Sequence, residues 1–255
     1  MKSTYLHPAP SIAAYVQEIL VIENYRVTSP FVLPIFPNGM PTLLFQTSKG
    51  QIGNSSNYLT LFGQTVLPDR LTIREDFTLI AYFFKPYTIN SLFGVSAQEL
   101  TDNPIDLNLL SVSMGTDLQE RLLNATTCKE MIAILDNYIF SLVSNIKTDM
   151  RIIKYAVEKI AGAPSKKSLT IVQEELYMTA RTFQRLFEKT VGIIPTRFRR
   201  ISQFNTAFKQ LNSGHFKNLT ALSYSNGYSD QSHFIRSFKE FTSLTPGEYL
   251  AYSKS

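Results

Sequence analysis

Residues 230–249 read DQSHFIRSFKEFTSLTPGEY. The pattern is a short helix, a bend and the start of a second helix. Phe234, Phe238 and Phe241 recur at i, i+4 and i+7 and so share one helical face. Ser232, Arg236 and Lys239 fall on the opposite face. Such a helix is either an ordinary amphipathic surface helix or one whose aromatic back is held by a core while its short, basic front meets a DNA groove.

The pattern occurs twice. Phe183, Arg185, Phe187, Pro195 and Phe198 match Phe234, Arg236, Phe238, Pro246 and Tyr249, each pair 51 residues apart. A fixed period implies one structural unit used twice. Two cationic helices on a common spacer suit a ligand that itself repeats, and B-DNA offers successive major-groove faces about 34 Å apart.

Charge separates the chain in the same place. Residues 1–148 hold 9 Lys and Arg against 12 Asp and Glu, a net −3, and residues 149–255 hold 16 against 8, a net +8; together they give the chain's +5. The basic part is the one expected to meet a polyanion. Hydrophobic residues make up 44% of 255, enough for two modest cores. Cys128 stands alone, so no intramolecular disulfide forms, and a reducing, cytoplasmic setting is expected. His7, His215 and His233 are far apart and lack partners at ligand spacing. Neither a metal nor a cofactor is expected. No apolar stretch is long enough for a membrane span.

Residues 1 to about 85 carry six short β-branched or aromatic runs separated by Ser-Pro, Pro-Asn-Gly, Ser-Lys-Gly and Pro-Asp turns. These predict an antiparallel barrel or sandwich, with Pro34, Pro37 and Pro41 at edges or bends. From Tyr87 onward helices are expected. One is short and ends at Gly94, and another is begun by Ser96 with Glu99 at capping-box spacing. Helices over residues 116–124 and 128–143 follow. The second carries Met131, Leu135, Tyr138 and Leu142 as a stripe that either packs on its own domain or forms a dimer seam.

A helix over 149–162 turns Ile152, Ile153, Ala156, Val157 and Ile160 inward. The first repeat unit spans a helix at 169–176, a turn at Tyr177-Met178-Thr179 and a helix capped by Thr179. Pro195 opens the spacer helix, over 196–211. The second unit has a helix at 219–225, a turn at Asn226-Gly227-Tyr228, a cap at Ser229 or Asp230, and the helix quoted first.

GYSDQSHFIRSFKEFTSLTPGEYL resembles the second helix-turn-helix of the AraC/XylS-type bacterial transcription regulators, and RTFQRLFEKTVGIIPTRFRRISQF resembles the first motif and the start of the linker helix. The first 110 residues resemble, through FKPYTINSLFGVSAQELTDNPIDL, the β-barrel domain of unknown function that precedes such pairs in one branch of the family. The resemblance implies an α+β chain. A β-barrel-like regulatory domain spans 1–110, a helical linker or dimerisation segment spans 111–148, and a double helix-turn-helix DNA-binding domain spans 149–255. It implies double-stranded DNA as partner. A small-molecule effector, RNA polymerase and a second copy of the chain are further candidates.

Carried over by position, Arg181, Gln184 and Arg185 on the first recognition helix, and Gln231, Ser232 and Arg236 on the second, face base edges. Arg forks onto guanine and Gln onto adenine. His233, Lys239, Arg199 and Arg200 are expected at phosphate or sugar. The ligand-contacting residues stay unassigned; Phe45, Tyr82, Phe83 and Phe84 are either a cavity lining or plain core.

The sequence departs from the family pattern at three places. Tyr177 stands where the first turn has Gly, Gln173 and Glu174 where small residues let helices approach, and Ser243 where Gly follows the second recognition helix. The first unit is therefore expected to sit more loosely or at another angle. Two other readings remain. In one, the barrel is a metal-independent enzyme fused to a DNA-binding module; in the other, the protein binds DNA constitutively and the barrel only dimerises. The pair Glu75-Asp76 suits a bend better than catalysis.

Overall fold

The computed structural model describes residues 1–113, 115–146 and 148–252. Met114, Lys147 and the last three residues of the expected 149–255 domain lie outside them. The chain begins with an antiparallel sheet of β1 (Lys2–Leu6), β2 (Val16–Asn24), β3 (Phe31–Ile35), β4 (Thr42–Ile52), β5 (Ser55–Phe62), β6 (Asp69–Ile73), β7 (Phe77–Phe84) and β8 (Ile105–Asp106). Its main path runs β1-β2-β7-β4-β5-β8, and β6 pairs with both β3 and β4. The sheet does not close into a barrel.

Both faces of the sheet are covered, which is why FTLIAYFF in β7 reads as an unbroken apolar run. Ile80, Tyr82 and Phe84 face one core with Phe45, Ile19 and Val21, while Leu79 and Ala81 face another with Leu20, Leu44 and Leu71. Helices α1 (Ile89–Phe93), α2 (Leu118–Asn124) and α3 (Cys128–Val143) cover the first face. Met131, Leu135, Tyr138 and Leu142 are buried in that core. The stripe on α3 thus packs on its own domain. Phe45, Tyr82 and Phe84 lie on this helix-covered face as core, and of the four aromatics proposed as cavity lining only Phe83 reaches a cavity.

Several local expectations shift. Ser48-Lys49-Gly50 is not a turn but part of β4, where the register slips between Phe45 and Gly50. The hairpin closes instead at Gly53-Asn54, with Gly53 at φ 54°. After Ser96 only hydrogen-bonded turns form. Ser96 Oγ accepts from the Glu99 amide at 3.3 Å, but Asp102 at φ 53° and Pro104 stop a helix. Glu75-Asp76 joins β6 to β7, two strands that do not pair, so it is a connection rather than a hairpin bend.

The remaining helices are α4 (Arg151–Gly162), α5 (Lys166–Glu175), α6 (Ala180–Val191), α7 (Pro195–Asn212), α8 (Leu219–Ser225), α9 (Gln231–Thr242) and α10 (Pro246–Tyr252). Their starts follow from capping chemistry. Ser165, Thr179, Asn218 and Asp230 each accept a backbone N–H with the side chain, and Pro195 sits at the first turn of α7. At 18 residues α7 is about 27 Å long. Phe198, Ile201, Phe204, Ala207 and Leu211 line its buried side, and both repeat units pack there. Ile153, Ala156, Val157 and Ile160 of α4 are buried as expected, but Ile152 is 47% exposed because it falls outside the stripe that meets α7.

Candidate DNA-binding surface and interdomain seam

In α9, Phe234, Phe238 and Phe241 are fully buried; Phe238 and Phe241 pack on Phe204 of α7, with centroids 5.6 and 5.1 Å apart, and Phe234 packs on Phe238 at 5.8 Å. The opposite face leaves Ser232, Arg236 and Lys239 exposed. In α6, Phe183 and Phe187 are buried, Phe187 lies 5.4 Å from Phe198 of α7, and Arg181, Gln184 and Arg185 are exposed. Gln184 makes one loose bond, from Nε2 to Glu188 Oε1 at 3.3 Å.

The remaining candidates are less free. Gln231 is half-buried, and its Oε1 accepts from Thr220 Oγ1 at 2.7 Å, tying α9 to α8. His233 stacks edge-on against Tyr228 at 5.2 Å and shares a 3.2 Å hydrogen bond with Ser229. Its amide donates to Asp230 at 2.7 Å; this bond is the main reason the Asp230 carboxyl sits below its ordinary pKa. Arg199 is half-buried. It donates to the Pro164 carbonyl and to Gln203 Oε1, both at 3.2 Å, and Gln203 in turn donates to the Asn226 carbonyl in the second turn. Burial, then the charge of Arg200, lowers the pKa of Arg199. Arg200 donates to Glu240 of α9, as does Arg197. The structure therefore gathers Arg181, Gln184, Arg185, Ser232, Arg236 and Lys239 as solvent-facing groups, and uses Arg199 and Arg200 inside the helical domain. Sequence reasoning missed Glu240, whose partners lie 40 and 43 residues away and carry no spacing signal.

Both units have one left-handed residue at the turn and another at the helix end, but glycine stands at opposite ones. In the first, the turn residue is Tyr177, at φ 52° and 98% exposed, and the helix ends on Gly192 at φ 95°. In the second, the turn has Gly227 at φ 74° and the helix ends on Ser243 at φ 64°. The turn-to-cap distance also differs: Tyr177 precedes its cap Thr179 by two residues, Gly227 precedes Asp230 by three. Counted back from the turn, Gln173 and Ser223 are equivalent. Ser223 is fully buried, whereas Gln173 is only half-buried.

The sheet domain docks on this surface's back. Thr101 Oγ1 donates to the Gly192 carbonyl at 3.1 Å. A Cβ on Gly192 would stand 2.5 Å from the Ala97 carbonyl oxygen, so only glycine permits that approach. Phe36 packs on Phe208 and Tyr249 at 5.7 and 6.3 Å, and Tyr87 belongs to the helical core. Burial, with Glu158 nearby, pushes the Tyr87 hydroxyl up to about 12. Between sheet and α7 lies a cavity of about 460 Å³. Leu20, Leu44, Leu79 and Phe62 form its floor, and Asn205, Phe208, Lys209 and Asn212 of α7 form its lid.

Residues 173–252 match a family model described as a helix-turn-helix domain, of the AraC type, and residues 4–106 match one described as a domain of unknown function (DUF6597). No curated protein sequence matches the chain. Among solved structures, ToxT from Vibrio cholerae is 13% identical over 98% of both chains with a TM-score of 0.49. A second ToxT structure, with an unsaturated fatty acid bound, is 12% identical over 98% of this chain and 96% of that one, at 0.47. The AraC-like transcriptional activator CuxR is 13% identical over 76% and 77%, at 0.27. Scores of this size leave the assignment to rest on the two family models. With those models over its two parts, and paired helix-turn-helix units on one linker helix, the chain carries an AraC-type helix-turn-helix domain, that of a DNA-binding transcription regulator, behind a domain of unknown function.

Proposed function

We propose that α6 and α9 enter adjacent major-groove segments on one side of DNA, and that the sheet domain reports a small, mainly apolar ligand to them. One observation supports the first part above others. Each helix buries its aromatic stripe against the same rod, α7, and leaves Arg181, Gln184 and Arg185, or Ser232 and Arg236, in solvent. Arg and Gln at those positions have the donors and acceptors to read guanine and adenine edges. Lys239 and the basic balance of the domain supply affinity through counterion release. Selection from a random DNA pool with the full chain should return a two-part site with its elements about one turn, ~34 Å, apart. A single short element would overturn the two-helix reading.

The ligand part rests on the cavity. Its volume is of the size that takes a small organic molecule. Its floor belongs to the sheet and its lid to the helix that carries both recognition units. A ligand there touches both domains and can bias the DNA-binding form only through a difference in affinity between states. Replacing Ala81, in the cavity floor, by Phe should fill the space. Ligands that raise the unfolding temperature of the natural chain in proportion to concentration should lose that effect in Ala81→Phe. A ligand whose effect survives the filling binds elsewhere, and the cavity then has no sensing role.

A further inference from the structure

We propose that Glu240 is a positioning residue. It fixes the angle at which the second recognition helix leaves the linker helix, and Arg197 and Arg200 serve it rather than DNA phosphate. This rests on the reading that α9 enters the groove. Arg197 and Arg200 stand three apart on the first turns of α7 and so share a face. Glu240 is in the last turn of α9. Its Oε1 accepts from Arg197 and its Oε2 from Arg200, so each carboxylate oxygen takes one guanidinium. The Phe241 ring lies under both, 5.1 Å from the Arg197 guanidinium carbon and 5.6 Å from that of Arg200. Two charge-assisted contacts, one on each carboxylate oxygen, over an aromatic face restrict rotation as well as distance.

The same cluster also touches the sheet domain. Arg197 Nη2 lies 3.5 Å from the Val66 carbonyl oxygen, and the Val66 amide donates to Asp102 at 2.6 Å. The first unit has no counterpart: 51 residues before Glu240 stands Lys189, an exposed cation that α7 arginines would repel. There is also a consequence for base reading. Glu240 follows Arg236 by four residues, the spacing at which a carboxylate pairs with an arginine on one helix. With both of its oxygens engaged by α7, Glu240 is withheld from Arg236, whose guanidinium stays exposed.

The test uses the full chain and the duplex selected above, with Glu240→Gln, Glu240→Asp, Arg200→Gln and Arg236→Ala. Removing a carboxylate next to DNA raises affinity if its effect is only electrostatic. Positioning predicts the reverse, a loss of about ten-fold in Glu240→Gln, with protection lost over the second unit's half of the site and kept over the first. Glu240→Asp keeps the charge but shortens the reach, and should fall between; it also covers the case in which Glu240→Gln folds poorly. Arg200→Gln should lose affinity with the slope of log K against log salt unchanged. A slope smaller by about 0.9 would make Arg200 a phosphate contact and overturn the proposal, as would undiminished or tighter binding by Glu240→Gln. If Arg236→Ala leaves discrimination intact, the reading of α9 as a groove helix falls instead.

Discussion

The first helix-turn-helix unit leans on the sheet domain, and the second leans on the linker helix. At the end of α6, Gly192 lies under Ala97 and Thr101, and α6 itself bears no carboxylate toward α7 at the position of Glu240. At the end of α9, Ser243 is exposed and the anchor is the Glu240 pair with Arg197 and Arg200. Each copy keeps a glycine where a neighbour or a turn is close, and tolerates a side chain in the left-handed region where solvent is. Two copies of one pattern thus acquire different mechanical supports, and the contrast is open to attack from both sides.

The largest expected effect is at Gly192. Gly192→Ala adds left-handed strain and a clash with the Ala97 carbonyl, and should cost about 2–4 kcal/mol. Gly227→Ala meets only Gln203 Nε2 at 3.5 Å, so strain alone remains, about 1–2 kcal/mol. Equal losses in denaturant unfolding would show that the docked neighbour adds nothing. Next come the readers: Arg181→Ala, Arg185→Ala and Arg236→Ala should each weaken specific binding by about 1–3 kcal/mol and relax one base position, the first two in one half of the site and the third in the other. Competition between cognate and altered duplexes checks it; loss spread evenly over all sequences would assign them to phosphate.

A smaller effect of opposite sign is expected at Tyr177. Tyr177→Gly relieves a left-handed tyrosine that makes no buried contact, and should stabilise by about 1 kcal/mol or less, a rise of roughly 2–4 °C at most in the unfolding midpoint. No rise would mean the tyrosine compensates its strain by a contact of its own. The smallest effect concerns acid. Burial raises the Glu240 pKa, but the hydrogen bonds and charges of Arg200 and Arg197 outweigh that and hold it below its ordinary 4.5. A depressed folded value means its contribution is present above about 4.5 and lost as pH falls through the folded value. Protection over the second half-site should fade before the first on acidification, and simultaneous loss would contradict the asymmetry.

Much of this was legible. The 51-residue repeat placed both recognition helices, Thr179 placed the start of α6, and the spans read for α3 and α8 match the observed ones. Periodicity identified Phe234, Phe238 and Phe241 as core because a helix turns its stripe one way whatever it packs against. What the sequence hid were pairings over distance. β8, two residues long, is too short to signal, β1 (KSTYL) has no apolar run although it is as long as β3, and the apolar start of β4 masks a bulge where Ser48-Lys49-Gly50 suggests a turn, though Gly53-Asn54 was the better hairpin signal. Arg199 and Arg200 stand in the sequence as phosphate candidates, and nothing in their spacing shows the bonds that the fold gives them to Gln203, Pro164 and Glu240.

Tyr87 comes from the sheet half but sits in the core of the helical half, 3% exposed. Removing residues 1–148 would therefore pull a plug from the remaining protein and leave a hole facing water. Losing that aromatic volume from a packed interior costs on the order of 3–5 kcal/mol. The boundary drawn by charge is not the boundary drawn by packing, and a helical half released by a protease should be less durable than the same residues within the whole.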